Sequence, residues 1–365
     1  MTMLKNITIS LAIITLAASG LTACTTIPST STMQTAIASV TKNGERYIVS
    51  APISSFSDFI LIETQFGKIP PRVVDMDTVV ADLANYDTVF IGEAHGHVAS
   101  HYVQSKIFSG LHTKYSDMAL SMEQFERPQQ GVVDDYLAGK IGEETLVHDG
   151  KAWPHYRSSY RPLVEFAKAN GLPVIASEIP SNMVSCIGER GPDFLTTLKG
   201  KPRSWVADKL HLEDGAYKDK YYSFLAAVPS HSIGGDVSEA EKEKKRFYRY
   251  AAQVSRDDTM AESIAFHMKN NPGRKVMHIN GSFHSAGLLG TPERLAIHIP
   301  GIKMANVHPV MVDDPKNPSF AAKDVKEGQY LVLIHPTPKR FVQMKNINAF
   351  IKRTKSKIDE NRCAY

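Results

Sequence analysis

Short apolar runs alternate along the chain with segments in which apolar residues recur at the spacing of one helix face. Four of the runs indicate buried strands, namely Thr88–Ile91, Met118–Met122, Pro173–Ala176 and Lys275–Ile279. The segments beside them indicate helices, namely Met76–Tyr86, Ala99–Leu111, Pro128–Leu137 and Leu163–Asn170. Strands that alternate with helices in this order predict an α/β fold, a mostly parallel sheet flanked by helices and joined by right-handed crossovers.

Segment 181–250 interrupts this rhythm, because it contains no strand-like run. Asp214–Val228 and Glu239–His267 have helical spacing instead. We therefore expect a smaller helical subdomain at 181–250, inserted into an α/β domain formed by residues 42–180 and 251–365. Further elements are expected outside the main pattern, namely a small edge hairpin at Tyr47–Ile62, strands at Met304–Val312 and Tyr330–Ile334, and a final helix at Asn346–Ile358.

The first residues indicate a secretory signal. Lys5 supplies a positive charge, Ile7–Ala18 is largely apolar, and the run is too short to span a membrane. The segment ends in Leu-Thr-Ala-Cys at Cys24, which resembles the bacterial lipoprotein signal. We expect residues 1–23 to be removed, Cys24 to carry the lipid, and the Ser- and Thr-rich residues 24–41 to form a flexible tether. Thr25, where inner-membrane lipoproteins carry Asp, favours the outer membrane.

Composition narrows the choice of partners. The net charge is only +4, and no basic run is interleaved with aromatic residues, so nucleic acid is not an expected partner. Apart from Cys24 the cysteines are Cys186 and Cys363. They could pair in an oxidising compartment or remain two free thiols, and their spacing does not decide between these outcomes.

Ionisable residues follow the ends of the predicted strands. Gly92, Glu93 and His95 follow the first strand, Glu123 the second and Glu178 the third, and the fourth runs into Gly281 and His284. Both histidines stand in a Gly-x-x-His turn, in which glycine permits a tight exit from the strand. Because the carboxyl ends of parallel strands meet at one edge of a sheet, we expect these groups to line one cleft.

This set of residues is compatible with more than one chemistry. His95 and His284 with one or two carboxylates could bind a divalent metal such as zinc, manganese or iron. They could equally act as base and acid, with Glu123 orienting an imidazole. Any single one of these residues could also be a helix cap or a solvated turn residue. His97, His101 and His112 are expected on the surface of the following helix.

Tyrosines provide a second signal. Tyr217, Tyr221 and Tyr222 cluster in the inserted region, with His231 shortly after them. Tyrosines at helical spacing usually belong to a core or an interface. A phenolate is also a ligand for ferric iron, and tyrosine alone can hold haem.

Several strings of the chain together resemble one family. GEAH, MEQFERPQQGVVDDYLAGKI, YRPLVEFAKANGLPVIAS, AAQVSRDDTMAESI and GSFH occur in the order found in the ChaN-like haem-binding lipoproteins of bacterial iron uptake. The resemblance extends from about Met76 to about Ile299. The wider superfamily includes the Tiki proteases and the erythromycin esterases, which share the Gly-x-x-His and Glu elements. By that resemblance Gly92, Glu93, His95, Glu123, Gly281 and His284 are the superfamily site, whereas Glu178 stands where asparagine is expected.

The resemblance also implies a homodimer that encloses two haems face to face. One tyrosine of each subunit would ligate iron, and a histidine of the partner would contact a propionate. The string AYKDKYYSFLAAVPSHS favours Tyr217 as the ligand, with Tyr221 and Tyr222 as rivals and His231 as the histidine.

The sequence as a whole therefore predicts a lipid-anchored haem-binding protein of bacterial iron or haem uptake. It would be attached to the outer membrane, facing the periplasm, and work beside an outer-membrane haem or iron receptor. The alternative is a hydrolase of the Tiki-peptidase or esterase kind, with or without a metal, whose centre is Glu93, His95, Glu123 and His284.

Overall fold

The computed structural model describes residues 38–227, 238–355 and 363–364. Its strands are β1 (Val40–Asn43), β2 (Arg46–Val49), β3 (Phe59–Glu63), β4 (Arg72–Val74), β5 (Thr88–Glu93), β6 (Met118–Glu126), β7 (Val174–Glu178), β8 (Lys275–Gly281), β9 (Met304–Met311), β10 (Ser319–Ala321) and β11 (Tyr330–Ile334). Its α-helices are α1 (Met76–Leu83), α2 (Val98–Lys114), α3 (Gln130–Leu137), α4 (Glu143–Asp149), α5 (Arg161–Ala169), α6 (Ser181–Arg190), α7 (Ala216–Ala227), α8 (Glu239–Asn270), α9 (Thr291–His298) and α10 (Met344–Lys355).

The main sheet has the strand order β4-β3-β11-β9-β5-β8-β6-β7. From β11 to β7 every neighbouring pair is parallel, and only the pairs β11–β3 and β3–β4 at one edge are antiparallel. The predicted α/β class with a mostly parallel sheet is therefore confirmed. β5 and β8 lie side by side in register, so Glu93 is opposite Gly281. The two Gly-x-x-His turns consequently leave the sheet from adjacent strands.

Helices cover both faces of this sheet. On one face Val89 and Ile91 of β5 pack in a core with α1, α2 and α5, and on the other Phe90 packs against α8 and α9. Side chains alternate between the faces of a strand, and each face of β5 is buried under helices. This burial on both sides explains why the central strands are continuous apolar runs.

The N-terminal hairpin differs from the expectation for Tyr47–Ile62. β1 and β2 form a hairpin that joins β10 in a separate antiparallel sheet, whereas β3 belongs to the main sheet. The reason is that Leu61 and Ile62 are buried on opposite faces of β3, so that strand needs cover on both sides. β1 also begins at Val40, inside the segment expected to be a tether.

Within the described part of residues 181–250 the structure contains α6, α7 and the first turns of α8, with short 3-10 turns between them. Ser238 caps α8 by accepting a hydrogen bond from the Glu241 backbone NH. The boundary expected at residue 250 falls inside α8, which continues unbroken across the face of the sheet. Cys186 of α6 forms a disulfide with Cys363, which decides between the two thiol states.

No helix in the described ranges combines the length and hydropathy that a membrane crossing requires.

Candidate functional site

The carboxyl ends of β5, β6, β7 and β8 form one rim of the sheet. Glu93, Glu178 and Gly281 end β5, β7 and β8, and Glu123 lies three residues before the end of β6. All four residues are buried. A Cβ built on Gly281 would lie 2.7 Å from His95 Nε2 and 3.6 Å from Glu123 Oε2. His284 Nε2 lies 3.9 Å from Glu123 Oε1. The structure thus brings the two predicted histidines together around one carboxylate.

Glu93 accepts hydrogen bonds on both of its carboxylate oxygens. The Tyr160 hydroxyl donates to its Oε1 at 2.6 Å, and the Gln104 side-chain amide donates to its Oε2 at 2.7 Å. Tyr160 ends a short π-helical turn, Tyr156–Tyr160, which carries its hydroxyl to the rim. With its oxygens engaged in this way, the Glu93 carboxylate is fixed in position.

His95 lies 2.7 Å from the same carboxylate through its Nδ1. An ionised carboxylate can only accept hydrogen bonds, so Nδ1 carries the proton and Nε2 presents a lone pair beside Gly281. The side chain of His95 is 45% exposed. Burial favours the neutral ring, but the hydrogen bond to Glu93 and the charges of Glu123 and Glu93 outweigh it and raise the pKa of His95. This is the geometry of a general base oriented by a carboxylate.

Gly281 is required at its position by close packing. Its backbone NH donates to Glu123 Oε2 at 2.5 Å, while the His95 ring occupies the place of a side chain. Gly92 is similarly close to its neighbours, since a Cβ there would lie 3.0 Å from the Ser282 backbone. Both glycines therefore serve close approach, and neither has a positive φ.

Arg256 of α8 bridges the carboxylates of Glu123 and Glu178. Its Nη2 lies 2.5 Å from Glu123 Oε1 and 2.6 Å from Glu178 Oε2. Burial raises the pKa of Glu123, but Arg256, His284 and His95 reverse this and lower it to about 2. Burial raises the pKa of Glu178, and Arg256 only partly offsets that effect. One carboxylate is thus firmly anionic, and Arg256 is the counter-ion of both.

A bulge in β6 aims Glu123 at the rim. Met122 pairs with Ala176, and the next pair is Glu126 with Glu178. Between these two pairs β6 advances by four residues and β7 by only two. Extra residues in a strand redirect the side chains within the bulge.

The rim does not fit a divalent metal as the sequence suggested. Among residues 38–227, 238–355 and 363–364, no group of three or more His, Cys, Asp or Glu side chains is arranged to hold a metal ion. Arg256 lies where Glu123 and Glu178 would bind a cation. A cation would have to compete with a buried guanidinium for the same oxygens.

His97 and His101 are buried, contrary to the surface position expected for them. His97 caps α2 by accepting a hydrogen bond from the Ala99 NH. Nε2 of His101 accepts from the Gly96 NH, so its Nδ1 donates to Gln104, which in turn donates to Glu93. His101 therefore helps to position Glu93 through Gln104. His112 is half-buried.

The tyrosines of α7 lie in different surroundings. Tyr217 is buried, and its hydroxyl donates to Asp257 at 2.5 Å. Tyr221 donates to the Arg249 carbonyl, and Tyr222 donates to Glu243 near the surface. Burial raises the pKa of Tyr217 well above its ordinary value, with the Asp257 charge adding to the effect. His231 and Cys24 lie outside the described residues.

The sequence left three contributors to the rim unassigned, namely Arg256, Asp257 and Tyr160. Arg256 and Asp257 stand in the string AAQVSRDDTMAESI, and both are largely buried on α8. Adjacent charges within an otherwise apolar helix face were the available signal, because buried charges require partners.

One family model and one solved structure agree with this fold. A family model described as "Haem-binding uptake, Tiki superfamily, ChaN" matches residues 79–295. The structure of a cofacial haem-binding ChaN of Campylobacter jejuni superposes with a TM-score of 0.55 at 15% identity, covering 78% of this chain and 100% of that one. An erythromycin esterase mutant in its open conformation superposes with a TM-score of 0.45 at 12% identity, covering 78% of this chain and 99% of that one. A search of curated protein sequences gave no match.

Proposed function

The chain belongs to the haem-binding uptake family ChaN of the Tiki superfamily, and from this premise we propose that it binds haem on α7 and serves bacterial iron or haem uptake. In this proposal it is anchored through a lipid on Cys24 to the outer membrane and faces the periplasm. Haem binding joins two copies of the chain, and an outer-membrane receptor is the source or the recipient of the haem.

The aromatic surface of α7 is the observation that carries the proposal. We define it as Tyr221, Tyr222 and Phe224 together with Phe283 of the second Gly-x-x-His turn. The Phe224 and Phe283 rings are 5.4 Å apart, and Tyr221 lies 6.0 Å from Phe283. Phe224 is 41% exposed. A flat apolar macrocycle gains most from contact with such rings, and a phenol beside them can reach the iron.

Tyr221 and Tyr222 suit the role of iron ligand better than Tyr217. Tyr217 would have to leave a buried carboxylate, Asp257, whereas the hydroxyls of the other two bond to a backbone carbonyl and to a surface glutamate. Burial raises the pKa of both Tyr221 and Tyr222 to about 12. Ferric haem would supply the positive charge that stabilises the phenolate.

Positive charge beside this surface suits the haem propionates. Lys218 Nζ of α7 lies 5.6 Å from the Tyr222 ring centre, and the Arg246 guanidinium of α8 lies 5.5 Å from the same ring centre. His231 remains the proposed contact of the partner subunit's propionate.

Hemin titration tests the proposal. Wild-type protein should shift the Soret band and saturate at one haem per chain. The double substitution Tyr221→Phe with Tyr222→Phe should abolish the spectrum of phenolate-ligated ferric haem, and Tyr217→Phe is the matched control that should keep it. Absence of a Soret shift in the wild type would contradict haem binding. Loss of the phenolate spectrum in Tyr217→Phe alone would make Tyr217 the ligand instead.

Attachment and assembly are tested separately. Cys24→Ser should move the protein from the membrane fraction to the soluble fraction, and sedimentation should detect a dimer only with haem. Membrane attachment of the serine variant would contradict lipidation at Cys24, and an unchanged monomer with haem would contradict haem-linked dimerisation.

A hydrolase is the second candidate, and the Glu93–His95 pair favours it. The His95 side chain is 45% exposed, and its Nε2 could take a proton from a water molecule as that water adds to an ester or peptide carbonyl. The protonated ring could then donate to the leaving group as the carbonyl re-forms. Wild type and His95→Ala should be compared for esterase and peptidase activity, before and after dialysis against a chelator. Equal activity in wild type and variant would remove this candidate. Loss of activity after dialysis against the chelator would indicate that the hydrolase depends on a metal.

A further inference from the structure

Asp257 is a fully buried carboxylate with donors on both oxygens. His284 Nδ1 lies 2.8 Å and Thr291 Oγ1 2.9 Å from its Oδ1, and the Tyr217 hydroxyl lies 2.5 Å from its Oδ2. These partners come from the second Gly-x-x-His turn, from α9 and from α7. Asp257 is therefore the point at which three separate segments meet.

The donors determine where the proton of His284 lies. Burial alone would raise the pKa of Asp257, but His284, Arg294 and the Tyr217 hydroxyl lower it. An ionised Asp257 can only accept, so Nδ1 of His284 carries a proton, and the Gln253 side-chain amide, 3.1 Å from Nδ1 and 3.4 Å from Nε2, is left to donate to Nε2. His284 is almost fully buried, and its Nε2 is then turned towards Glu123 at 3.9 Å. Asp257 thus fixes both the tautomer and the direction of the second rim histidine.

Tyr217 connects the same carboxylate to the aromatic surface of α7. Its ring packs 5.9 Å from Phe283 and 4.8 Å from the Arg294 guanidinium, which holds it in place. Phe283 precedes His284 in the chain and also contacts Tyr221 and Phe224. α7 is consequently joined to the rim by a hydrogen bond through Tyr217 and by ring packing through Phe283.

We propose that Asp257 is a positioning residue that holds His284 with Nδ1 protonated and Nε2 towards Glu123, and that Tyr217 ties this arrangement to α7. A ligand bound to the aromatic surface of α7 then changes the environment of the His284 ring. This second statement rests on the proposed haem binding, whereas the first does not.

Imidazole ¹⁵N NMR of the full chain tests the positioning. The His284 signals are assigned by their absence in His284→Gln. In wild type Nδ1 should be protonated. In Asp257→Asn the neutral ring should adopt the Nε2–H tautomer, as free imidazoles usually do. An unprotonated Nδ1 in wild type, or the same Nδ1–H tautomer in Asp257→Asn, would overturn the proposal.

Tyr217→Phe and Thr291→Val keep the test decisive if Asp257→Asn does not fold. Each removes one hydroxyl from Asp257, but only Tyr217 lies on α7. Gallium protoporphyrin, a diamagnetic stand-in for haem, should shift the His284 signals of wild type and Thr291→Val. In Tyr217→Phe it should still bind, but the His284 shift should fall at least twofold.

The outcomes separate the two proposals. If gallium protoporphyrin and hemin both fail to bind wild type, the haem function is wrong, and positioning by Asp257 is judged by the tautomer alone. If they bind and His284 responds equally in wild type and Tyr217→Phe, the tie through Tyr217 is wrong although haem binding stands.

Discussion

At the residue scale, the rim contains two histidines that are oriented in the same way. Glu93 holds His95 by Nδ1, and Asp257 holds His284 by Nδ1. In each case an acceptor-only carboxylate leaves Nε2 turned towards the neighbourhood of Glu123. Glu123 is therefore the shared anion of the site, and its charge state should govern the behaviour of both rings.

Replacing Glu123 should change the acid side of the stability curve. Its folded pKa of about 2 lies below the ordinary value of 4.5, so its ionised form stabilises the folded state above pH 4.5. That contribution is lost as pH falls from about 4.5 towards about 2. The pKa of Glu178 is shifted upwards and opposes this, because a raised carboxyl pKa favours folding at low pH. The free energy of unfolding, measured in urea between pH 2 and pH 6, should fall less on acidification in Glu123→Gln than in wild type. Parallel curves would contradict the role of Glu123.

Removing the Tyr160 hydroxyl should be costly because Glu93 is buried. The hydroxyl donates to a carboxylate that water does not reach, and hydrogen bonds to charged groups contribute about 1.5–3 kcal/mol. Tyr160→Phe should lower the free energy of unfolding by about that amount in urea titrations. Tyr136→Phe is the matched control, since Tyr136 donates to the exposed Glu165, and its loss should stay below about 1 kcal/mol. Equal losses in the two variants would contradict the argument.

At the scale of elements, the rim depends on how closely adjacent strands leave the sheet. β5 and β8 end side by side, and their turns interlock because Gly281 has no side chain where the His95 ring lies. The β6 bulge then supplies Glu123 to the same place. Three adjacent strands, rather than any single motif, therefore build the site.

A methyl group on Gly281 should disturb the site. In Gly281→Ala the new Cβ would lie 2.7 Å from His95 Nε2, and overpacking of this kind costs about 1–3 kcal/mol. His95 should turn away, which histidine NMR would detect as loss of the Nδ1 proton bonded to Glu93. Gly131→Ala is the control, because that position in α3 has open space and helical alanine is favoured by about 0.5–1 kcal/mol. Destabilisation by both substitutions would argue against the close contact.

At the scale of the whole molecule, the disulfide joins the end of the chain to α6. Cys186 and Cys363 are separated by 177 residues, and Cys186 packs in a core with Ile179, Ile187 and Val206. The cross-link therefore ties the C-terminal segment to a helix that packs on α8, the helix that carries Arg256 and Asp257.

Breaking this disulfide should lower stability. Cross-links of long loops typically contribute about 2–4 kcal/mol through the unfolded state. Cys186→Ala combined with Cys363→Ala should lower the thermal midpoint, and dithiothreitol should lower that of wild type by a similar amount. The double variant should not respond to reductant. An unchanged midpoint in both experiments would contradict a stabilising role.

Much of the fold and part of the site could be predicted from the sequence. The central strands were recognisable because burial on both faces makes them continuous apolar runs, and the residues after them marked the rim. The hairpin at Tyr47–Ile62 was wrong, because β2 pairs with β1 and β10 whereas β3 pairs with β4 and with the distant β11, and pairing with a distant segment leaves no local sequence pattern. The surface position expected for His97 and His101 was wrong because both rings are buried with hydrogen-bond partners, His97 as the N-cap of α2 and His101 within that helix.

By itself the sequence determined the order of strands and helices and the residues that stand at the strand ends, because hydrophobic spacing and turn chemistry act over short distances. Only the tertiary structure decided that Arg256 reaches Glu123, 133 residues away, and that Asp257 joins His284 to Tyr217. Buried charges choose their partners by proximity in space, and that proximity arises only when α8 packs across the sheet. The rim therefore holds a guanidinium where the sequence pattern alone had allowed a metal.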